Sequence, residues 1–146
     1  MSLESLLAQG RLRPHKASRA EVQDILAVVE RDLKDAAVPG LSAERRFLIA
    51  YEAGLRLATV PLHCAGYETH GAGHHWVTFQ VLPEVMGKEF SDLAEYLEVC
   101  RTKRNVGTYD RAGEISSGEA DEIRGEVTSF KVEVEGWLGA KHPELV

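Results

Sequence analysis

FLIAYEAGLRLATV, residues 47–60, decides the fold. At helical spacing this stretch is apolar almost all round. A helix with so little polar circumference belongs at the centre of its domain. Ala50, Ala53, Gly54 and Ala58 are small, so neighbouring helices can approach it closely. Ser42 starts this helix, which is predicted over 43–64.

The flanking segments supply the partners. Upstream, Ser18 with Glu21 reads as a capping box, each side chain satisfying an orphan backbone donor of the other. It opens a helix predicted over 19–36, with Val22, Ile25, Leu26, Val29 and Leu33 along one stripe. Before it, Ser2 to Gln9 reads as a short helix stopped by Gly10, and a basic connector leads to Pro14. Downstream, Gly66, Gly71 and Gly73 mark a loop. A helix over 75–86 follows, disturbed at Pro83. The next, over 91–105, carries Leu93, Tyr96, Leu97 and Cys100 on one face, and Gly107 weakens or ends it. A second capping box, Ser116 with Glu119, opens a helix over 117–138. Its stripe is Ile123, Val127, Phe130, Val134 and Trp137. Val132 and Val134 also alternate with charges, as in a strand, but the longer helical stripe outweighs that pattern.

The expected architecture is therefore all-α, an up-and-down bundle of four to five helices with no sheet. The 146 residues make one domain, with a short helix and basic connector over 1–17 and a core bundle over 18–139. The net charge of -6 disfavours nucleic acid or anionic membrane as a partner for the surface as a whole. Any such contact needs a local basic patch. Two clusters qualify: Arg11, Arg13, Lys16 and Arg19 around His15, and Arg101, Lys103 and Arg104. No run approaches a membrane span. Cys64 and Cys100 have no metal-type spacing and read as reduced, buried thiols, which points to the cytoplasm. Phosphate-loop, dinucleotide, nucleophile-elbow and zinc-protease motifs are all missing, and no cofactor is implied.

Chemistry concentrates in CRTKRNVGTYDR, residues 100–111. On a helical wheel Arg104 falls along the apolar direction set by Leu93, Leu97 and Cys100, where the pattern asks for a leucine. A guanidinium cannot escape burial by losing its proton. Arg104 therefore needs a carboxylate, a phosphate, backbone carbonyls or a wet interface. It is either half of a structural ion pair, with Asp110 or Glu98 as partner, or an arginine facing an anion in a cleft.

The second stretch is HGAGHHWVTFQ, residues 70–80. Imidazoles suit zinc or general-base work near neutrality. His70, His74 and His75 lack a third ligand type nearby and sit among glycines, so no tightly bound metal is expected there. Capping, a buried hydrogen bond or a catalytic role remain open. Trp76 and Phe79 read as core.

Arg104 and Asn105 in a late bundle helix, followed by Tyr109 and Asp110, resemble the motif region of HEPN domains. The whole helical order is similar to a bacterial HEPN-like group with an Arg-Asn…Tyr motif. HEPN domains are small, commonly dimeric helical bundles, many linked to RNA cleavage in toxin–antitoxin, defence and stress systems. Their hallmark is an arginine, a polar residue and then a histidine. Tyr109 takes the histidine position here, and a phenol titrating near 10 is a poor general base. The resemblance thus implies a dimeric binding module whose Arg104, with Arg101, His74 and His75, holds a nucleotide, an RNA or the acidic surface of a cognate partner protein. The alternative it implies is a metal-independent endoribonuclease. There Arg104 binds the scissile phosphate, Asn105 orients it, and Tyr109 or His74/His75 handles the proton.

Overall fold

The computed structural model describes residues 2–106 and 114–146, the side chains of 105 and 106 excepted. It is an all-α helical bundle. Four helices are long: α2 (Arg19–Asp35), α3 (Ala43–Cys64), α6 (Ser91–Val106) and α7 (Ser117–Lys141). Three are short: α1 (Leu3–Ala8), α4 (His74–Gln80) and α5 (Leu82–Met86). Among the described residues, no helix is long and apolar enough to cross a membrane.

α3 is the central element, packing on α2 and α7 most extensively and also on α4, α5 and α6. Phe47, Ala50, Tyr51, Ala53, Leu57 and Val60 are essentially without exposed surface. Burying a side chain the size of Phe47 or Leu57 contributes about 1.5–3 kcal/mol. The small residues do what their size suggests. A Cβ at Gly54 would lie 3.0 Å from Cγ2 of Val127 and 3.4 Å from Cδ2 of Leu97, so α6 and α7 both close on this point. The apolar girth of α3 is consumed inside one chain.

α7 buries Ile123, Val127, Phe130 and Val134 as the stripe requires. The stripe ends on buried Leu138, with Trp137 only partly covered and packed against the His142 ring at 5.0 Å. Its capping box is complete, Ser116 and Glu119 each bonding the other's backbone N–H at 3.0–3.1 Å. At Ser18 the box is only half made. The Ser18 hydroxyl accepts from the Glu21 N–H at 3.1 Å, but the Glu21 carboxylate turns instead to His15 and His63.

Two expectations need correction. The helix predicted over 75–86 is divided into α4 and α5, with Pro83 in the first turn of α5, where its missing N–H does least harm. The expectation of no sheet fails as well. β1 (Leu12–Pro14), from the basic connector, pairs antiparallel with β2 (Tyr67–Thr69), from the glycine-marked loop, in register Leu12 to Thr69. Three residues per strand give no periodic signal, and the pairing joins segments distant in sequence. This ribbon and α1 share a separate small core of Leu6, Leu12, Leu62, Val77 and Val81.

Candidate anion-binding site

α6 carries Leu97 and Cys100 into the core, and Arg104 follows one turn further on the same face. Its side chain keeps 24% of its surface exposed. Its Nε is fully buried and finds no hydrogen-bond acceptor among the described residues. Among the described residues the nearest carboxylate, Glu52 on α3, stands 3.8 Å from a terminal guanidinium nitrogen, too far for a hydrogen bond. The guanidinium lies over the Tyr51 ring, 5.5 Å from its centroid. Such a contact contributes about 0.5–1 kcal/mol, whereas a stranded N–H costs about 1–3 kcal/mol. Arg104 is under-partnered where it stands.

Its neighbours converge from two other directions. Gly73 caps α4 in the left-handed region, φ 78°, a conformation that favours glycine. The turn delivers His74, His75 and Trp76 to a shallow cleft of about 360 Å³ that Arg101 and Arg104 close from the α6 side. A second cleft of about 420 Å³, lined by Glu52, Arg56 and Thr59 among others, meets the first at His75 and Arg104. These two residues are the wall common to both.

His75 Nδ1 lies 2.8 Å from the Tyr51 hydroxyl. Burial holds the His75 imidazole below its ordinary titration range, and the Arg104 and Arg101 cations add to that. Burial pushes the Tyr51 phenol well above its usual range, only partly opposed by Arg104 and Arg101, so it stays protonated. The site thus pairs a fixed cation with a neutral imidazole. Arg101 is already engaged by Glu98, at 2.5 Å and 2.9 Å, which raises its pKa. Lys103 faces outward to Glu119 at 2.7 Å.

Of the residues singled out in the sequence, Arg101, Arg104, His74 and His75 share one cleft. Tyr109, Asp110 and the side chain of Asn105 lie outside the described residues. Glu98 proves to be the partner of Arg101, and Arg104 faces Glu52 instead. The three histidines do not act together: His70 lies beside Arg13 at 3.4 Å, and His75 belongs to Tyr51. Phe79 is core, but Trp76 is a wall of the cleft and is covered by Arg11 at 4.8 Å from the ring. The pairing of β1 with β2 therefore brings one residue of the first basic cluster next to the second. Sequence reading missed Tyr51, Glu52 and Arg11 here. A charge and a phenol inside the most apolar helix were the available signal for the first two. Cys100 is buried, and burial pushes its thiol up to about 11, as it does for Cys64. Neither is a nucleophile at neutral pH.

The fold is that of an all-α bundle with a polar cleft at the end of α6. In comparisons with known proteins, no family model, no curated protein and no solved structure matches the chain.

Proposed function

We propose that this chain is a HEPN-like anion-binding module that takes a phosphate group of a nucleotide or an RNA at Arg104. The observation that carries this reading is the guanidinium itself. Among the described residues its Nε is buried without an acceptor and no carboxylate comes within hydrogen-bond distance, yet the side chain lines an open cleft shared with His74, His75 and Arg101. A phosphate in the cleft would meet the part of the guanidinium that stays exposed, and the planar fork suits it. Trp76, in the wall of the same cleft, would offer its indole to a base. A two-fold dimer belongs to this reading through the family resemblance, and light scattering at micromolar concentration tests it.

The second reading, a metal-independent endoribonuclease, is favoured by one specific observation. His75 is neutral, anchored by Tyr51 and beside Arg104. It would supply the imidazole that Tyr109 replaces in the motif. With Nδ1–H donating to the Tyr51 oxygen, Nε2 would take the proton of a ribose 2′-hydroxyl. The 2′-oxygen would then attack phosphorus to close a 2′,3′-cyclic phosphate, and the 5′-oxygen would leave as a hydroxyl with a proton from water, while Arg104 stabilised the charge on the phosphoryl oxygens.

Titration with inorganic phosphate, a nucleoside monophosphate and a short single-stranded RNA tests the first reading. Saturable binding that weakens with salt and is lost in Arg104→Ala supports it. Absence of binding by all three in the native chain refutes it. Incubation with the same RNA tests the second, for which cleavage must be abolished by both Arg104→Ala and His75→Gln.

A further inference from the structure

We propose that His15, Glu21 and His63 form a binding site for a divalent transition-metal ion of the zinc class, with Glu68 orienting His15. This site is separate from the Arg104 cleft and does not depend on the reading given to it.

The three residues come from three elements. His15 follows β1 and is fixed by its backbone N–H donating to the Gly66 carbonyl at 2.8 Å. Glu21 stands in the first turn of α2, and His63 in the last turn of α3. One donor atom from each lies within 4.8 Å of the others. His15 Nε2 is 2.9 Å from both Glu21 oxygens, and His63 Nδ1 is 3.1 Å from Oε1. The two imidazoles lie side by side, their centroids 4.5 Å apart. In a tetrahedral zinc site with bonds of about 2.0–2.1 Å, donor atoms stand roughly 3.3 Å apart. The two nitrogen–oxygen distances reach that spacing with a few tenths of an ångström of opening.

The hydrogen-bond inventory points the same way. His15 Nδ1 contacts Glu68 Oε2 at 2.6 Å, and Arg13 holds the other Glu68 oxygen at 2.6 Å. A neutral imidazole has one N–H, and Glu68 takes it. In that arrangement the Nε2 lone pair would face the Glu21 carboxylate, and a cation between them would satisfy both. A second proton would serve that pair alone. A metal ion serves His15, Glu21 and the converging His63 together. Glu68–His15 then becomes the carboxylate–histidine–metal arrangement that fixes the ring tautomer. Glu21 meanwhile forgoes the capping bond its sequence position offers. Two imidazoles and one carboxylate suit zinc, cobalt or nickel, whereas magnesium and calcium take oxygen donors. All four side chains keep 19–31% of their surface exposed, which leaves a coordination position for water or another ligand. An ion here ties the β1–β2 ribbon to the facing ends of α2 and α3.

The test is a zinc titration of the full chain, free of any histidine tag, followed by calorimetry and by thermal melting. We expect one ion per chain and a rise in melting temperature that magnesium does not produce. His15→Gln and His63→Gln should each abolish both. Glu68→Gln should keep the stoichiometry and weaken affinity about 10- to 100-fold. His70→Gln and His142→Gln should bind as the native chain does. If the histidine substitutions prevent folding, Glu21→Gln decides, since the Ser18 cap to its backbone survives. Lack of stoichiometric binding by the native chain overturns the proposal. So does binding that survives His15→Gln and His63→Gln, or Glu21→Gln in their place.

Discussion

The Arg104 cleft and the His15–Glu21–His63 corner are both polar clusters set against the same central helix, and they are opposites in how their groups are satisfied. At the corner every charged group has partners. Glu21 faces two imidazoles and Glu68 faces His15 and Arg13, all at 2.6–3.1 Å. In the cleft Arg104 is short of partners among the described residues, with a buried donor unpaired and the Glu52 carboxylate at 3.8 Å. A cluster with converging lone pairs is built to take a cation. A cluster with an unspent guanidinium is built to take an anion. Each holds an imidazole below its ordinary range chiefly by burial; Arg104 reinforces this at His75, whereas Glu21 opposes it at His63.

Removing the unspent cation breaks this contrast most severely. Arg104→Ala is expected to lower affinity for a phosphate ligand by about 10- to 100-fold, the worth of charge-assisted hydrogen bonds. Stability should stay within about 1 kcal/mol of native or rise, because a stranded donor disappears. Arg104→Lys should restore little of the affinity. A loss of about 3–5 kcal/mol in a denaturant melt would mean instead that Arg104 is half of a buried ion pair.

Acid sharpens the comparison next. An imidazole whose folded pKa is depressed binds its proton more readily in the unfolded chain. Its contribution is present above the unfolded value, near 6.5, and is lost as pH falls from there toward the folded value. Melting temperature should therefore decline below about pH 6.5. His75→Gln should flatten the part of that decline that belongs to the cleft. An unchanged slope would place the sensitivity elsewhere.

Smaller effects separate the members of the cleft. Tyr51→Phe removes the hydroxyl that meets His75 and should cost about 1 kcal/mol, read from a chemical denaturation curve. Glu52→Gln should change stability by less than about 1 kcal/mol, since its carboxylate is 43% exposed and not hydrogen-bonded to Arg104. The same change should tighten phosphate binding, because it removes a negative charge beside the guanidinium. Weaker binding in Glu52→Gln would show that the carboxylate orients Arg104 rather than competing with the ligand.

The sequence by itself determined the bundle. Apolar periodicity in α2, α3, α6 and α7 follows from the 3.6-residue turn, and the Ser18, Ser42 and Ser116 caps mark helix starts through local hydrogen bonds. It also exposed Arg104, because a charge on an apolar stripe is visible wherever the stripe is. What Arg104 faces was not visible. Glu52 and Tyr51 reach it from another helix, and whether a guanidinium is paired depends on distances that no local pattern encodes. The β1–β2 ribbon was hidden for the same reason, since its two short strands find each other only when α3 folds between them. Glu21 shows the division within a single residue. Its spacing from Ser18 predicts a capping box, and the backbone half of that box forms. Its carboxylate went instead to two histidines, one six residues before it and one at the far end of α3. Only tertiary structure brought those imidazoles within reach.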